Sequence, residues 1–150
     1  MEKLELKHLA PYLPYQLECY GASEIWHLEG LSHRKIWIKN SRGFQTMDYG
    51  DFEADYSILL HPLSDLTKQI DCPEVMGEKF VPAERLFELY GGGYESYKAF
   101  NNSFILNLFI NGIKGLSYEI GELFISWRFD VFDLHSKNLC IYYDELNILK

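Results

Sequence analysis

Between residues 16 and 60 the chain runs in short stretches where apolar and polar residues alternate; beyond residue 61 the apolar spacing turns helical. Residues 24–29 and 35–39 are β-rich runs on either side of the polar segment 30–34. In the second run Ile36 and Ile38 face one way, while Lys35, Trp37 and Lys39 face the other. Period-two alternation around a short turn predicts an antiparallel hairpin. Residues 16–20, 44–47 and 56–60 extend the pattern, with Asp48-Tyr49-Gly50-Asp51 expected as a turn from its composition. Residues 16–60 are thus predicted to form a twisted antiparallel meander of four or five strands.

Residues 4–15 read as a short helical turn ended by Pro11 and Pro14, because proline biases the residue before it away from the helical region. Pro62 and Pro82 each suit the first turn of a helix, over 62–70 and 82–90. The second of these stops at Gly91-Gly92-Gly93, a natural C-terminal cap. The strongest helical signal follows Tyr94. Ile105, Leu108, Phe109, Gly112, Ile113 and Leu116 form one stripe, with Asn107, Asn111 and Lys114 opposite. A second long helix carries Ile120, Leu123, Phe124, Trp127 and Val131 at the same spacing. Ser117 is its expected N-cap, and Glu119 and Glu122 sit near its positive end. Residues 139–143 read as a short closing strand. Strands first and helices after is the α+β pattern, not alternating βαβ units. Both flanks of the triple glycine are too apolar to stand apart, so a single α+β domain over 1–150 is expected.

Composition sharpens this picture. The chain has 150 residues, 47% hydrophobic and 24% charged, which is enough for a core without disulfide or metal staples. Net charge is −8, and residues 41–90 carry ten acids against four bases. A negative chain without a Lys/Arg cluster gains no counterion-release energy, so direct nucleic-acid binding and anionic-membrane docking are not expected. Cys19, Cys72 and Cys140 are widely spaced and form no CxxC, which reads as reduced thiols. The opening Met-Glu-Lys-Leu-Glu-Leu-Lys-His has no apolar signal core, so a cytoplasmic location is expected. The most apolar stretch, 104–116, is too short and too interrupted to span a bilayer.

Few residues suggest chemistry. Asp48, Asp51, Glu53 and Asp55 form the best cation candidate. Strand alternation would place Asp51, Glu53 and Asp55 on one face, although the run lacks the order of a calcium loop. His8, His27, His33, His61 and His135 are scattered and match no zinc spacing. Ser64-Asp65 lacks a nucleophile elbow and reads as helix capping. Cys72 has no neighbouring base, and the triple glycine follows a helix rather than opening one, unlike a phosphate loop. Pro11-Tyr12-Leu13-Pro14 has polyproline-ligand spacing but is embedded in apolar residues, as a structural turn would be. No catalytic set and no cofactor are expected.

The segments 6–15, 60–70 and 77–82, with Trp127-Arg128-Phe129-Asp130-Val131-Phe132 and Asn138-Leu139-Cys140-Ile141-Tyr142, resemble a group of small uncharacterised proteins. These occur in prophages and mobile elements of Bacteroides-type bacteria. The resemblance implies a mobile-element origin and a bacterial cytoplasmic setting, and it carries no activity.

The leading expectation is an accessory protein that is not an enzyme and acts through protein–protein contact. Eleven Tyr and three Trp supply the residue types enriched at interface hot spots. Trp37, Tyr49, Asn107 and Asn111 are the interface candidates, and homo-oligomer formation is open. The alternatives are a small metal-dependent enzyme using Asp51, Glu53 and Asp55, and an acidic DNA mimic acting through the charge excess of 41–90.

Overall fold

The computed structural model describes residues 2–71, 79–91, 95–111 and 117–149. Its architecture is mixed α+β, with an antiparallel-dominated sheet from the N-terminal half and most helices in the C-terminal half. The chain opens with helix α1 (Leu6–Leu9) and a 3-10 helix (Ala10–Tyr15) that holds Pro14 inside it. The prolines therefore tighten the helix before they end it. Strands β1 (Glu18–Gly21), β2 (Glu24–Leu31), β3 (Lys35–Asn40) and β4 (Gly43–Asp48) follow as an antiparallel meander. Helix α2 (Tyr49–Asp55) leads into β5 (Tyr56–Leu60), which returns to pair with β1.

A second 3-10 helix (Leu63–Thr67) leads to the short strands β6 (Ile70–Asp71) and β7 (Lys79–Phe80), which pair with each other. Helices α3 (Pro82–Tyr90), α4 (Tyr97–Asn111) and α5 (Tyr118–Ser126) come next. Strand β8 (Ile141–Tyr142) adds parallel to β5 and runs into α6 (Tyr143–Leu149). The main sheet has the order β4-β3-β2-β1-β5-β8. Among the described residues no helix is long and apolar enough to cross a membrane.

Period-two alternation decides which face of the sheet is covered. Trp26, Leu28, Ile36, Ile38, Cys19, Ile58 and Leu60 point inward and meet Leu9, Tyr12 and Phe52 from the helices. A second cluster joins Leu66, Ile70 and Leu86 to Phe100 and Phe104 of α4 and to Phe124, Trp127 and Phe129. Tyr12 links the two clusters, since its buried hydroxyl donates to the Phe129 carbonyl at 2.6 Å.

Three expectations change in detail. Asp48-Tyr49-Gly50-Asp51 is not a turn but the start of α2, because the Asp48 carboxylate accepts the Asp51 N–H at 2.7 Å and caps a helix there. The helix from Ser117 stops at Ser126 and does not reach Val131. Arg128 takes a left-handed φ of 64°, which ends the helical path, although Trp127 and Val131 still pack into the second cluster. On α4, Phe100 and Phe104 are buried and Leu108 packs partly against them, while Leu106 is exposed. The remainder of the predicted stripe, from Gly112 to Leu116, lies outside the described residues, as do Cys72, Gly92 and Gly93.

Candidate functional site

The acidic run does not form the expected carboxylate face. Asp51, Glu53 and Asp55 lie on helix α2, where residues two apart point to different sides and only those three or four apart share one. Asp51 and Asp55 can share a side, while the Glu53 carboxylate is turned to the Leu4 backbone N–H and ties the N-terminal segment to α2. Phe52 supplies the buried face of this helix and stacks on Tyr56 at 5.5 Å. Among the described residues no three His, Cys, Asp or Glu side chains gather as metal ligands would.

The β3–β4 hairpin offers a different kind of surface. Its two-residue turn is held by the Asn40 side chain, which accepts the Arg42 N–H at 2.9 Å. Among the described residues strand β4 is one edge of the main sheet, and the two-residue β8 is the other. Along Gly43-Phe44-Gln45-Thr46-Met47-Asp48, every residue is exposed except the half-buried Met47. Alternate residues of such an edge turn their backbone N–H and C=O groups away from the neighbouring strand. The strand contains no proline, lysine or arginine, the devices that commonly guard an edge.

Two aromatic side chains flank this edge on the outer face of the sheet. Phe44 is 67% exposed and Trp37 is 36% exposed, so neither belongs to a core. Trp37 pairs with Thr46 on one side and with Gly30 on the other. The indole lies across Gly30, where an added Cβ would sit 3.5 Å from the ring. Lys39 stands over the Phe44 ring at 5.6 Å and also meets Glu29 at 3.7 Å. Arg42, at the turn, pairs with Glu24 at 2.7 Å.

The other interface candidates are placed apart from one another. Tyr49 is half-buried, and its hydroxyl donates to the Ser32 carbonyl at 2.8 Å, clasping α2 to the β2–β3 turn. Asn107 is exposed on α4, so its amide carries no burial cost; the Asn111 side chain lies outside the described residues. Of the four, Trp37 alone borders the open edge. Phe44 is the residue that sequence reading passed over. The signal was available: in residues 43–48 neither alternate face is consistently apolar, as befits an edge strand in which only Met47 packs against the core.

In comparisons with family models, curated proteins and solved structures, nothing matches the chain.

Proposed function

We propose that this chain acts through protein–protein contact rather than catalysis, with β4 as the docking strand and a second copy of the chain as its occupant. The observation that carries this reading is the unguarded edge itself, exposed along its length and flanked by Trp37 and Phe44. An extended strand laid along such an edge gains main-chain hydrogen bonds, while aromatic neighbours add apolar contact. Antiparallel pairing of two β4 strands about a two-fold axis satisfies the open edge groups of both copies at once.

Six residues of pairing with two aromatic flanks make a small interface, so dissociation at micromolar rather than nanomolar concentration is expected. Sedimentation analysis across the micromolar range should show a concentration-dependent rise from 17.6 kDa toward twice that mass. Thr46→Pro, which removes an edge N–H without touching the inner face, should hold the chain monomeric with unchanged circular dichroism. A wild-type chain that stays monomeric at every concentration, or a Thr46→Pro chain that still dimerises, overturns the reading. Specific pairing of β4 with a different protein in place of self-association would transfer the edge to another occupant and overturn the choice of a second copy.

A further inference from the structure

A groove of about 590 Å³ lies between the first 3-10 helix and α5, with Val131 and Phe132 completing its lining. Pro11, Pro14 and Tyr15 come from one side, Tyr118 and Gly121 from the other. The lining is aromatic and apolar yet open, for Tyr118 is 82% exposed and Phe132 41% exposed. Phe132 is nonetheless held in place, its ring set edge-on to that of buried Tyr12 at 6.0 Å. Gly121 sits inside α5, where glycine is a weaker helix former than alanine. An added Cβ there would meet no described atom within 4 Å, so the packing of the described residues does not call for a glycine. What the missing side chain leaves is open space in the groove.

A second depression, of about 380 Å³, adjoins the groove and shares Tyr15 and Glu122 with it. The Tyr15 hydroxyl donates to Glu122 Oε1 at 3.3 Å, which marks the boundary between the two. The depression adds Tyr90 of α3 and Glu119, both exposed. Among the described residues Glu119 and Glu122 make no ion pair, and no Lys, Arg or His stands in either lining. An apolar, aromatic groove beside two carboxylates without a counter-charge restricts the occupant. Proline rings suit the groove, because a polyproline segment is already extended and loses little freedom when it docks on aromatic rings. An arginine suits the depression, where a guanidinium stacks on a tyrosine ring and meets a carboxylate. A second copy of the chain fits poorly, since its own Pro11-Tyr12-Leu13-Pro14 is built into the groove wall with Tyr12 buried.

We propose that this groove docks an extended, proline-rich peptide segment with an arginine beside its prolines. The probes are fluorescein-labelled decapeptides carrying Pro-x-x-Pro with Arg, Gln or Glu at the flanking positions, read by fluorescence polarisation against the intact chain. Saturation below about 1 mM is expected from Arg-flanked peptides, and weaker binding from Glu-flanked ones. Replacing both prolines by alanine should abolish binding. Equal binding of the alanine form would be general attraction to a chain of net charge −8 and overturns the proposal. Gly121→Leu, which fills the groove, should remove binding with the thermal midpoint unchanged or higher, since leucine forms helix better than glycine. Glu119→Gln should weaken the Arg-flanked peptides about threefold, as loss of an exposed ion pair does, and leave the Gln-flanked ones unchanged. Thr46→Pro, on β4, should not alter binding, which separates this groove from the proposed contact edge. Absence of saturation with every Arg-flanked peptide, or full binding by Gly121→Leu, overturns the proposal, as does an arginine preference untouched by Glu119→Gln. Loss of self-association in Gly121→Leu would give the groove to a second copy and overturn it as well.

Discussion

The guanidinium of Arg128 and the carboxylate of Glu18 meet across 110 residues of chain, joining the end of α5 to strand β1. Arg128 is 1% exposed, and its Nε also donates to the Tyr15 carbonyl at 3.4 Å, while the Tyr143 hydroxyl donates to the same Glu18 oxygen at 3.0 Å. Removing one partner of a buried pair leaves the other charge desolvated, at a cost of about 3–5 kcal/mol. Arg128→Ala is therefore expected to lower the urea midpoint sharply. The double variant Arg128→Met/Glu18→Leu should recover part of that loss, because no unpaired charge remains. A double variant as unstable as the single one would show that the side chains matter here for packing rather than for charge.

His61 makes stability depend on acid. Its pKa is pushed down to about 4, chiefly by burial and also by the nearby Arg128, against the opposing pull of Asp65, Asp144 and Asp71. The folded chain thus resists a proton that the unfolded chain accepts near pH 6.5. Stability from this group is complete above that pH and is lost as pH falls toward 4. The loss amounts to about 3 kcal/mol by linkage. Glu145, whose pKa is lowered mainly by the Tyr142 N–H and then by His135, is a depressed carboxylate. Its contribution fades only below the ordinary carboxylate range. Unfolding midpoints measured from pH 7.5 to 4.5 should fall in the wild type and stay flatter in His61→Gln; parallel curves would remove His61 as the cause.

The turn between β1 and β2 is strained as it stands. Ala22 and Ser23 both have left-handed backbones, with φ of 54° and 61°, between the paired residues Gly21 and Glu24. A type I′ hairpin turn requires that geometry, and Asn-Gly adopts it most readily. Replacing Ala22-Ser23 by Asn-Gly should stabilise the fold by about 1–2 kcal/mol, the strain relieved being partly offset by the freer unfolded glycine. The thermal midpoint should rise by about 4–6 °C. An unchanged midpoint would place the cost of this turn elsewhere. Gly21 itself is not replaceable, since an added Cβ would lie 2.6 Å from the Asp55 carbonyl.

What could be read along the chain was what local periodicity encodes. Ile36 and Ile38 announce β3 because a sheet face covered on one side requires alternation, and Pro82 with Gly91 brackets α3 for reasons internal to that helix. The region 48–55 misled because Gly50 between Asp48 and Asp51 looks like a turn, whereas a single buried side chain, Phe52, and the Asp48 cap suffice for two turns of helix. Strand β8 was placed correctly, but its parallel pairing with β5 depends on where residues 127–140 carry the chain. That path is held by Asp130, which accepts the Leu134 N–H at 2.7 Å and the Tyr142 hydroxyl at 3.1 Å. The groove beside Gly121 was invisible for the same reason. Pro11, Tyr15, Tyr118 and Phe132 acquire a common wall only through tertiary contact, and no spacing in the sequence signals it.

Cys19 and Cys140 report on the integrity of the sheet. Both thiols are buried and free. Burial, with a smaller effect from Glu18, pushes the Cys19 thiol up to about 12; burial, then Asp130, raises Cys140 as well. The thiolate is the reactive species, so neither group should react while the sheet is closed. Iodoacetamide at pH 8, read by peptide mass spectrometry, should leave both unmodified in the native chain and label both in urea. Any native labelling must then proceed through opening, so its rate measures the free energy of exposing that strand. Cys19 sits in the β1 positions that pair with β2 and β5, and its protection should approach that of global unfolding. Labelling of Cys140 ahead of Cys19 would mean that residues 134–142 detach first, taking β8 from the sheet while the meander persists. Simultaneous labelling would mean that the six strands open as one cooperative unit.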